Sequence, residues 1–254
     1  MFVKYIDHMG NDQRVVDIAR QSFAKSDAAV RTEAQNQGLL RYLAEGISSK
    51  QRNEIILSIL KGVGNEFYFD TEEDAEKAAE ELYRDIRHQA VHWTPFAHTA
   101  ITLQMQAPIP IRTQAFKHKQ GLVENEESRR YISTTPEVYI PEFRLRPEGS
   151  IKQGSAGIHP DNDAWKTSYI EITHAAVFMY ERMIAEGIAP EQARFVLPQG
   201  VEVNWTWTGN LLAFANFYNK RSDAHAQQEI QDLAEMVREI IEPLFPMSWK
   251  ALTQ

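Results

Sequence analysis

Apolar residues recur at three- and four-residue intervals over much of the chain, which is the spacing of amphipathic helices. In the first ninety residues this spacing predicts four helices, at about 11–23, 34–45, 50–61 and 71–90. The first has a capping residue near Asn11 or Asp12. The fourth is so rich in charge that we expect a solvated helix outside the core.

Two stretches alternate between apolar and polar residues instead, which is the period of a half-buried strand. In HTAITLQMQAP, the apolar positions are Ile101, Leu103 and Met105, and VEVNWTW repeats the pattern about a hundred residues later. Prolines after the first of these stretches end the strand and can open a helix over 111–119. We therefore expect at least two strands among many helices.

The second half of the chain predicts mostly helix. Short extended segments are expected over 131–145 and a loop over 146–160, followed by helices at about 161–186, from Pro190, at 209–220 and at 224–243. There are no internal repeats or low-complexity linkers. The pattern predicts one α+β domain over 1–254, with a modest, mainly antiparallel sheet flanked by helices.

Composition excludes several classes of function. The 254 residues include no cysteine, which excludes disulfides, thiolate metal sites and a cysteine nucleophile. The net charge of -8 argues against a general nucleic-acid-binding protein. No apolar run is long enough to span a membrane, and the first residues lack the features of a signal peptide, so a cytoplasmic location is expected.

The stretch KHKQGLVENEESRRY, residues 117–131, is unusually polar. A solvated helix surface would explain its charge, but Gly121 interrupts a helix and two adjacent arginines face different ways. Serine and arginine side chains together are a common means of holding a phosphate group. With the basic stretch RTQAFKHK just before it, this region favours a site for a small anionic ligand.

Three other patterns are less informative. His88 and His92 lie four residues apart and His98 follows, but the spacing does not supply a convincing third ligand for zinc. No metal site is therefore predicted. No GxSxG surrounds Ser128, which is better interpreted as a phosphate-binding serine than as a nucleophile. Walker and GxGxxG loops are absent, so a flavin or nicotinamide would have to bind outside a Rossmann domain.

Polar residues also interrupt an apolar helix near the C-terminus. Asn210, Phe217 and Arg221 fall on one stripe of the predicted helix, whereas Asn216 lies off it. A capping asparagine and a surface arginine would explain each polar residue alone. Arg194 lies one turn into the helix that Pro190 opens.

Several motifs occur together in one order: HMGND, ARQSF, LRYLAEG, HWTPFAH, QAFKHK, NEESRRY, ARFVLP, WTWTGN and NKRSDAHAQQEI. Together they resemble flavin-dependent thymidylate synthase over nearly the whole chain, apart from an apparent helical insertion at about 47–90. The resemblance implies a homotetramer with active sites shared between subunits around FAD. It also implies methylation of dUMP to dTMP, with 5,10-methylenetetrahydrofolate as carbon donor and NADPH as reductant. The missing cysteine agrees, because the flavin-free class needs one to attack the pyrimidine.

The resemblance also assigns roles to residues by position. Arg221 would act in catalysis at the pyrimidine. The residues implied to bind dUMP are Gln114, Lys117, Glu126, Ser128, Arg129, Arg130, Arg194 and Arg221. Those implied to bind FAD are Ser22, Thr94, Lys117, His118, Lys119, Glu126, Asn210 and Asn216.

Three departures from the family pattern stand out. Lys117 and Lys119 replace the usual arginines on either side of His118, and lysine lacks the planar fork of arginine. Eight residues instead of seven separate this triplet from Ser128, and Leu212 stands where an arginine often contacts flavin. Two alternatives therefore remain: a flavin-dependent NADPH oxidase without methyl transfer, and a non-catalytic nucleotide-binding protein.

Overall fold

A computed structural model describes residues 1–22, 31–47, 51, 54, 55, 77, 91–148 and 154–253. Its strands are β1 (Phe2–Met9), β2 (Ala100–Pro108), β3 (Leu122–Glu126) and β4 (Glu202–Gly209). The helices of the described residues are α1 (Asp12–Gln21), α2 (Glu33–Glu45), α3 (Thr94–Ala97), α4 (Ile109–Ala115), α5 (Asn162–Ala185), α6 (Pro190–Ala193), α7 (Leu211–Arg221), α8 (Gln228–Ile241) and α9 (Pro246–Thr253). The predicted helices at 50–61 and 71–90, and with them the insertion at 47–90, fall almost entirely outside the described residues.

The four strands form one sheet in the order β1-β2-β4-β3, in which β4 pairs antiparallel with both β2 and β3. Ile101, Leu103 and Met105 of β2 are fully buried, as their alternation predicts. On β4 the alternation buries Trp205 and Trp207. The structure confirms the α+β class and the antiparallel sheet.

The chain forms two compact units, each built from three separate segments. The first comprises Met1–His8, Ile101–Gly209 and Asn216–Ile240, and it contains nearly all of the sheet together with α4 to α6. The second comprises Met9–Ala100, Asn210–Ala215 and Ile241–Gln254, with α1, α2, α3 and α9. Since neither unit is one continuous segment, the chain does not divide into successive domains.

A buried carboxylate anchors the last helix in the second unit. Asp12, which is 6% exposed, accepts hydrogen bonds from the backbone N–H groups of Met247 and Ser248, each at 2.8 Å. These N–H groups lie in the first turn of α9, where a helix has no internal acceptors for them. Asp12 therefore performs the capping role for α9 from a distant part of the sequence.

The long and regular elements agree with the sequence predictions, and the short ones differ. The helix expected at 161–186 spans Asn162–Ala185, whereas the one expected at 111–119 ends at Ala115. Two strands, β1 and β3, and the helix α9 were not predicted. None of the helices in the described ranges is both long and apolar enough to cross a membrane.

Candidate functional site

A cleft of about 470 Å³ opens beside the end of strand β3. Its charged and hydroxyl side chains are Arg112, Glu126, Glu127, Ser128, Arg129, Arg130 and Arg194, and its apolar lining includes Ile109, Phe195, Leu197, Val201 and Val203. Four arginines face two glutamates, so the cleft carries an excess of positive charge. A small anion with an apolar or aromatic part fits this combination of charge and surface.

The turn after β3 presents Ser128 and the two following arginines. The backbone N–H and the Nε of Arg130 both donate to Ser128 Oγ, at 3.4 and 3.2 Å. Because the hydroxyl oxygen accepts these bonds, its own hydrogen is left to donate to a ligand. Arg129 is fixed by its Nη1, which donates to the carbonyl of Thr134 at 2.8 Å.

The glutamates of the cleft are held in different ways. Glu127 accepts from the side-chain amide of Asn204 on β4, at 3.0 Å, and its backbone N–H donates to the Asn204 carbonyl. Glu126 Oε2 lies 3.1 Å from Arg112 Nε. Burial raises the pKa of Glu126 and Arg112 lowers it, while the neighbouring carboxylates raise it further. The charge state of Glu126 therefore depends on Arg112.

A second polar cluster lies at the C-terminal end of α7, and its centre is Arg221. The Nε of Arg221 donates to His118 Nε2 at 2.9 Å, and its Nη2 donates to the Gln114 carbonyl at 3.2 Å. The His118 ring packs edge-on against Phe217, with 5.1 Å between the ring centroids. Phe217 in turn packs edge-on against Trp207, so a buried aromatic column supports the cluster.

His118 is a neutral base in this arrangement. A nitrogen that accepts from Arg221 cannot carry a proton, so the imidazole hydrogen is on Nδ1. Burial and the cations of Arg221 and Lys220 lower the pKa of His118 from 6.5 to about 4. The unfolded chain would take up this proton near pH 6.5, so the free energy of unfolding falls as the pH falls between these two values.

We expect the imidazole resonances of His118 in an NMR titration to move near pH 4 rather than near 6.5. In Arg221→Ala the pKa of His118 should rise, because one cation is removed, but burial should keep it below its ordinary value. Lys220→Ala is the matched control and should give a smaller rise, since Lys220 contributes least. A wild-type His118 that titrates near 6.5 would contradict the neutral hydrogen-bonded imidazole.

The residues predicted for dUMP are divided between the two clusters. Glu126, Ser128, Arg129, Arg130 and Arg194 line the cleft. Gln114 and Arg221 belong to the second cluster, where the Gln114 side chain donates to Gln227 Oε1 at 2.7 Å. Lys117 is exposed beyond the end of α4 and does not line the cleft.

The residues predicted for FAD take several positions. His118 is in the second cluster, whereas Lys119 forms an ion pair with Glu124 and lies over the Phe116 ring. Asn210 precedes α7, and its side chain accepts from the Ala213 N–H at 2.9 Å. The other candidates are exposed Ser22 and Thr94 and half-buried Asn216.

The sequence alone allowed Asn210 to be a simple capping residue and Arg221 to be a simple surface residue, and the structure gives the two a different outcome. Asn210 is a capping residue, as the simpler interpretation predicted. The simpler interpretation of Arg221 as a surface arginine is wrong, because the residue is half-buried and hydrogen-bonded. Arg194 begins a 3-10 turn directly after α6 and lines the cleft.

Sequence reasoning missed several residues of the cleft, among them Arg112 and Phe195. Arg112 belongs to the basic stretch RTQAFKHK, but only the fold shows that it faces Glu126 on β3. Phe195 follows Arg194 and is 79% exposed, which is unusual for a large apolar side chain. No feature of the sequence separates it from a core phenylalanine.

Comparison with known proteins identifies the family. The family model described as thymidylate synthase complementing protein matches residues 4–247. The chain belongs to this family. Its membership confirms the resemblance inferred from the ordered motifs.

Relatives in this family cover almost the whole chain. A flavin-dependent thymidylate synthase from Thermosipho africanus is 28% identical over 254 residues, which cover 98% of this chain and 90% of that protein. The solved structure of the UMP/dUMP methylase PolB from Streptomyces cacaoi bound with 5-Br dUMP has a TM-score of 0.74 at 24% identity, covering 99% of this chain and 94% of that one. Its complex with 5-Br UMP has a TM-score of 0.71 at 25% identity, with 99% and 92% covered. The likeness to PolB shows that the two chains share a fold.

Proposed function

We propose that this protein is a flavin-dependent thymidylate synthase that methylates dUMP to dTMP. The observation that carries the proposal is the cleft, where five of the eight residues expected at dUMP come together. Family membership and the names of the relatives support it. In this proposal, 5,10-methylenetetrahydrofolate gives the carbon and NADPH is the reductant.

The cleft can hold the nucleotide by its phosphate and sugar. The arginines supply charged donors, and the free O–H of Ser128 supplies a neutral one. Glu126 offers an acceptor for a sugar hydroxyl or an imide N–H. The apolar side chains of the cleft leave room for the pyrimidine and sugar faces.

In the proposed reaction, Arg221 lies at the pyrimidine. A fixed cation there stabilises negative charge that develops on the ring oxygens and N3, which makes C5 nucleophilic without a covalent thiol adduct. Arg221 is suited to this role because His118 and the Gln114 carbonyl hold its guanidinium from two sides. Its orientation therefore needs little reorganisation during the reaction.

The residues proposed for FAD fit a flavin in their chemistry. Exposed Lys117, the Nδ1–H of His118 and the amide of Asn216 are all donors, as an anionic reduced ring or a diphosphate requires. Reduced FAD would supply the hydride. Lysines in place of arginines would contribute point charges rather than bidentate contacts.

The direct test is to purify the protein, reconstitute it with FAD, and measure flavin absorbance and product formation. dTMP should form from dUMP only when FAD, NADPH and 5,10-methylenetetrahydrofolate are all present. NADPH consumption without dTMP would show the oxidase instead. Nucleotide binding without any flavin binding would show the non-catalytic alternative.

We also propose that the protein is a homotetramer, and an exposed apolar stripe on α5 supports self-association. Trp165, Ile172 and Met179 are 54%, 69% and 45% exposed and recur every seven residues, so they lie on one side of the helix. Exposed apolar surface of this kind marks interaction sites on proteins. The number of four subunits comes from the family resemblance.

Ile172→Asp is expected to break the assembly, because it places a charge in an apolar contact. Sedimentation should show four 29.2-kDa chains for the wild type and a smaller species for the variant. His174→Asp is the control, since His174 is exposed and lies roughly 200° around the same helix from Ile172. An Ile172→Asp variant of unchanged mass would exclude this stripe as an interface.

A further inference from the structure

Of the four arginines that line the cleft, Arg112 has not yet been assigned a role. It lies in the middle of α4, and its Nε is 3.1 Å from Glu126 Oε2. The side chains of Arg112 and Glu126 are 24% and 26% exposed, so the contact is partly shielded from water. Both residues line the cleft.

The aromatic residues beneath Arg112 fix its position. The guanidinium carbon lies 5.3 Å from the centroid of the Phe116 ring, within the range of a cation–π contact. Phe116 packs edge-on against Trp205, which is 2% exposed, at a centroid distance of 5.6 Å. Arg112 therefore rests on an aromatic pair that is anchored in the core.

The Arg112–Glu126 contact is electrostatic more than a well-formed hydrogen bond. Among the described residues, the buried Nε–H of Arg112 has no hydrogen-bond partner, although its nitrogen lies close to Glu126 Oε2. Glu126 is thus attracted to Arg112 without giving up its lone pairs to a strong donor. Its carboxylate keeps capacity to accept from a ligand in the cleft.

We propose that Arg112 is a positioning residue for the nucleotide, which holds the Glu126 carboxylate as an acceptor for an N–H or hydroxyl group of dUMP. This inference rests on the proposed function, because it takes dUMP as the ligand. Direct contact between Arg112 and the phosphate is a different role, and the experiments below separate the two.

The charges around Glu126 make its ionisation sensitive to the loss of Arg112. Burial raises the pKa of Glu126, and the like charges of Glu124 and Glu127 on its own segment raise it further. Its neighbour on β4 is Trp205, which does not titrate. The cations at the cleft are Arg112 from α4, Arg129 and Arg130 from the turn after β3, and Arg194 from the 3-10 turn. Of these, Arg112 is the one that lowers the pKa of Glu126.

The test measures dUMP affinity of FAD-loaded protein by calorimetry over a range of pH. Arg112→Met keeps the length of the side chain but removes its charge. At acid pH it should weaken binding roughly 10- to 100-fold, as expected when dUMP loses its charged hydrogen bond to ionised Glu126. The loss should be greatest at acid pH and shrink as the pH rises, because Glu126 then ionises without help. Arg112→Lys should restore most of the affinity.

The matched control is Arg238→Met, which removes another arginine that pairs with a glutamate, Glu235, on α8. This variant should bind dUMP as the wild type does. Thermal unfolding of both methionine variants checks that each is folded at the temperature of the binding measurement.

A double-mutant cycle decides whether Arg112 acts through Glu126. The double variant Arg112→Met/Glu126→Gln should bind no more weakly than Glu126→Gln alone. Additive losses, or a loss that does not change with pH, would overturn the proposal and assign Arg112 to a direct contact.

The failure of this inference can be told apart from failure of the proposed function. A wild-type protein that does not bind dUMP would overturn the proposed function and, with it, the role in nucleotide positioning. If the wild type binds dUMP and Arg112→Met binds it with the same affinity, only the role of Arg112 is overturned. A ¹³C NMR titration of Glu126 without ligand should show a higher pKa in Arg112→Met, and an unchanged value would also overturn the inference.

Discussion

Arg221→Ala is expected to reduce dTMP formation by about a hundred- to a thousandfold while the protein remains folded, the loss typical of removing one preorganised electrostatic group. The guanidinium is held by His118 Nε2 and the Gln114 carbonyl, so the wild-type protein presents its charge in one orientation. Alanine leaves no cation to stabilise the charge that develops on the pyrimidine. The measurement is the rate of dTMP formation with saturating dUMP, folate and NADPH.

Two variants make this result specific. Lys220→Ala removes the exposed cation next in sequence and should leave the rate within about threefold of wild type, as for most surface substitutions. Arg221→Lys keeps a charge but cannot donate to both His118 and Gln114 from a planar group, so we expect little recovery. Wild-type rates in Arg221→Ala would remove this residue from the mechanism.

Asp12→Ala should lower the free energy of unfolding by about 3–5 kcal/mol, since hydrogen bonds to a charged group contribute more than neutral ones and two buried donors lose their partner. Those donors are the N–H groups of Met247 and Ser248 at the start of α9. The measurement is urea unfolding at a fixed protein concentration.

The comparison for Asp12 is Asp17 on the same helix. Asp17 is exposed and accepts a hydrogen bond from the Gln13 side chain, at 2.7 Å. Asp17→Ala should therefore change the free energy of unfolding by no more than about 0.5 kcal/mol. If the two alanine variants were equally stable, the anchoring of α9 by Asp12 would not be a major source of stability.

The success and failure of the fold prediction follow from how locally each element is encoded. The strand β4 carries an alternating pattern and the helix α5 is a long segment between clear boundaries, and both form where predicted. The strand β3 is LVENE, too short and polar for a pattern, and it forms because it pairs with β4. The helix α9 likewise depends on Asp12, which is more than two hundred residues away. Tertiary contacts of this kind leave no local signal.

The candidate site shows the same division. A serine followed by two arginines indicated an anion site by its chemistry alone, and Ser128 and its neighbours do line a cleft. The contact between His118 and Arg221 joins residues 103 positions apart, so sequence chemistry could propose each residue but not their hydrogen bond. Arg112 was missed for the same reason, because its partner lies on a strand that was not predicted.

The position of β3 has a consequence for solubility. It is the last strand in the described sheet, and such an edge offers unpaired backbone groups to other chains. Short length and charged side chains are the usual protection, and β3 has five residues, of which Glu124 and Glu126 are acidic. We therefore expect Glu126 to protect against aggregation as well as to face the cleft, so that substitutions that neutralise it lower solubility independently of any effect on ligand binding.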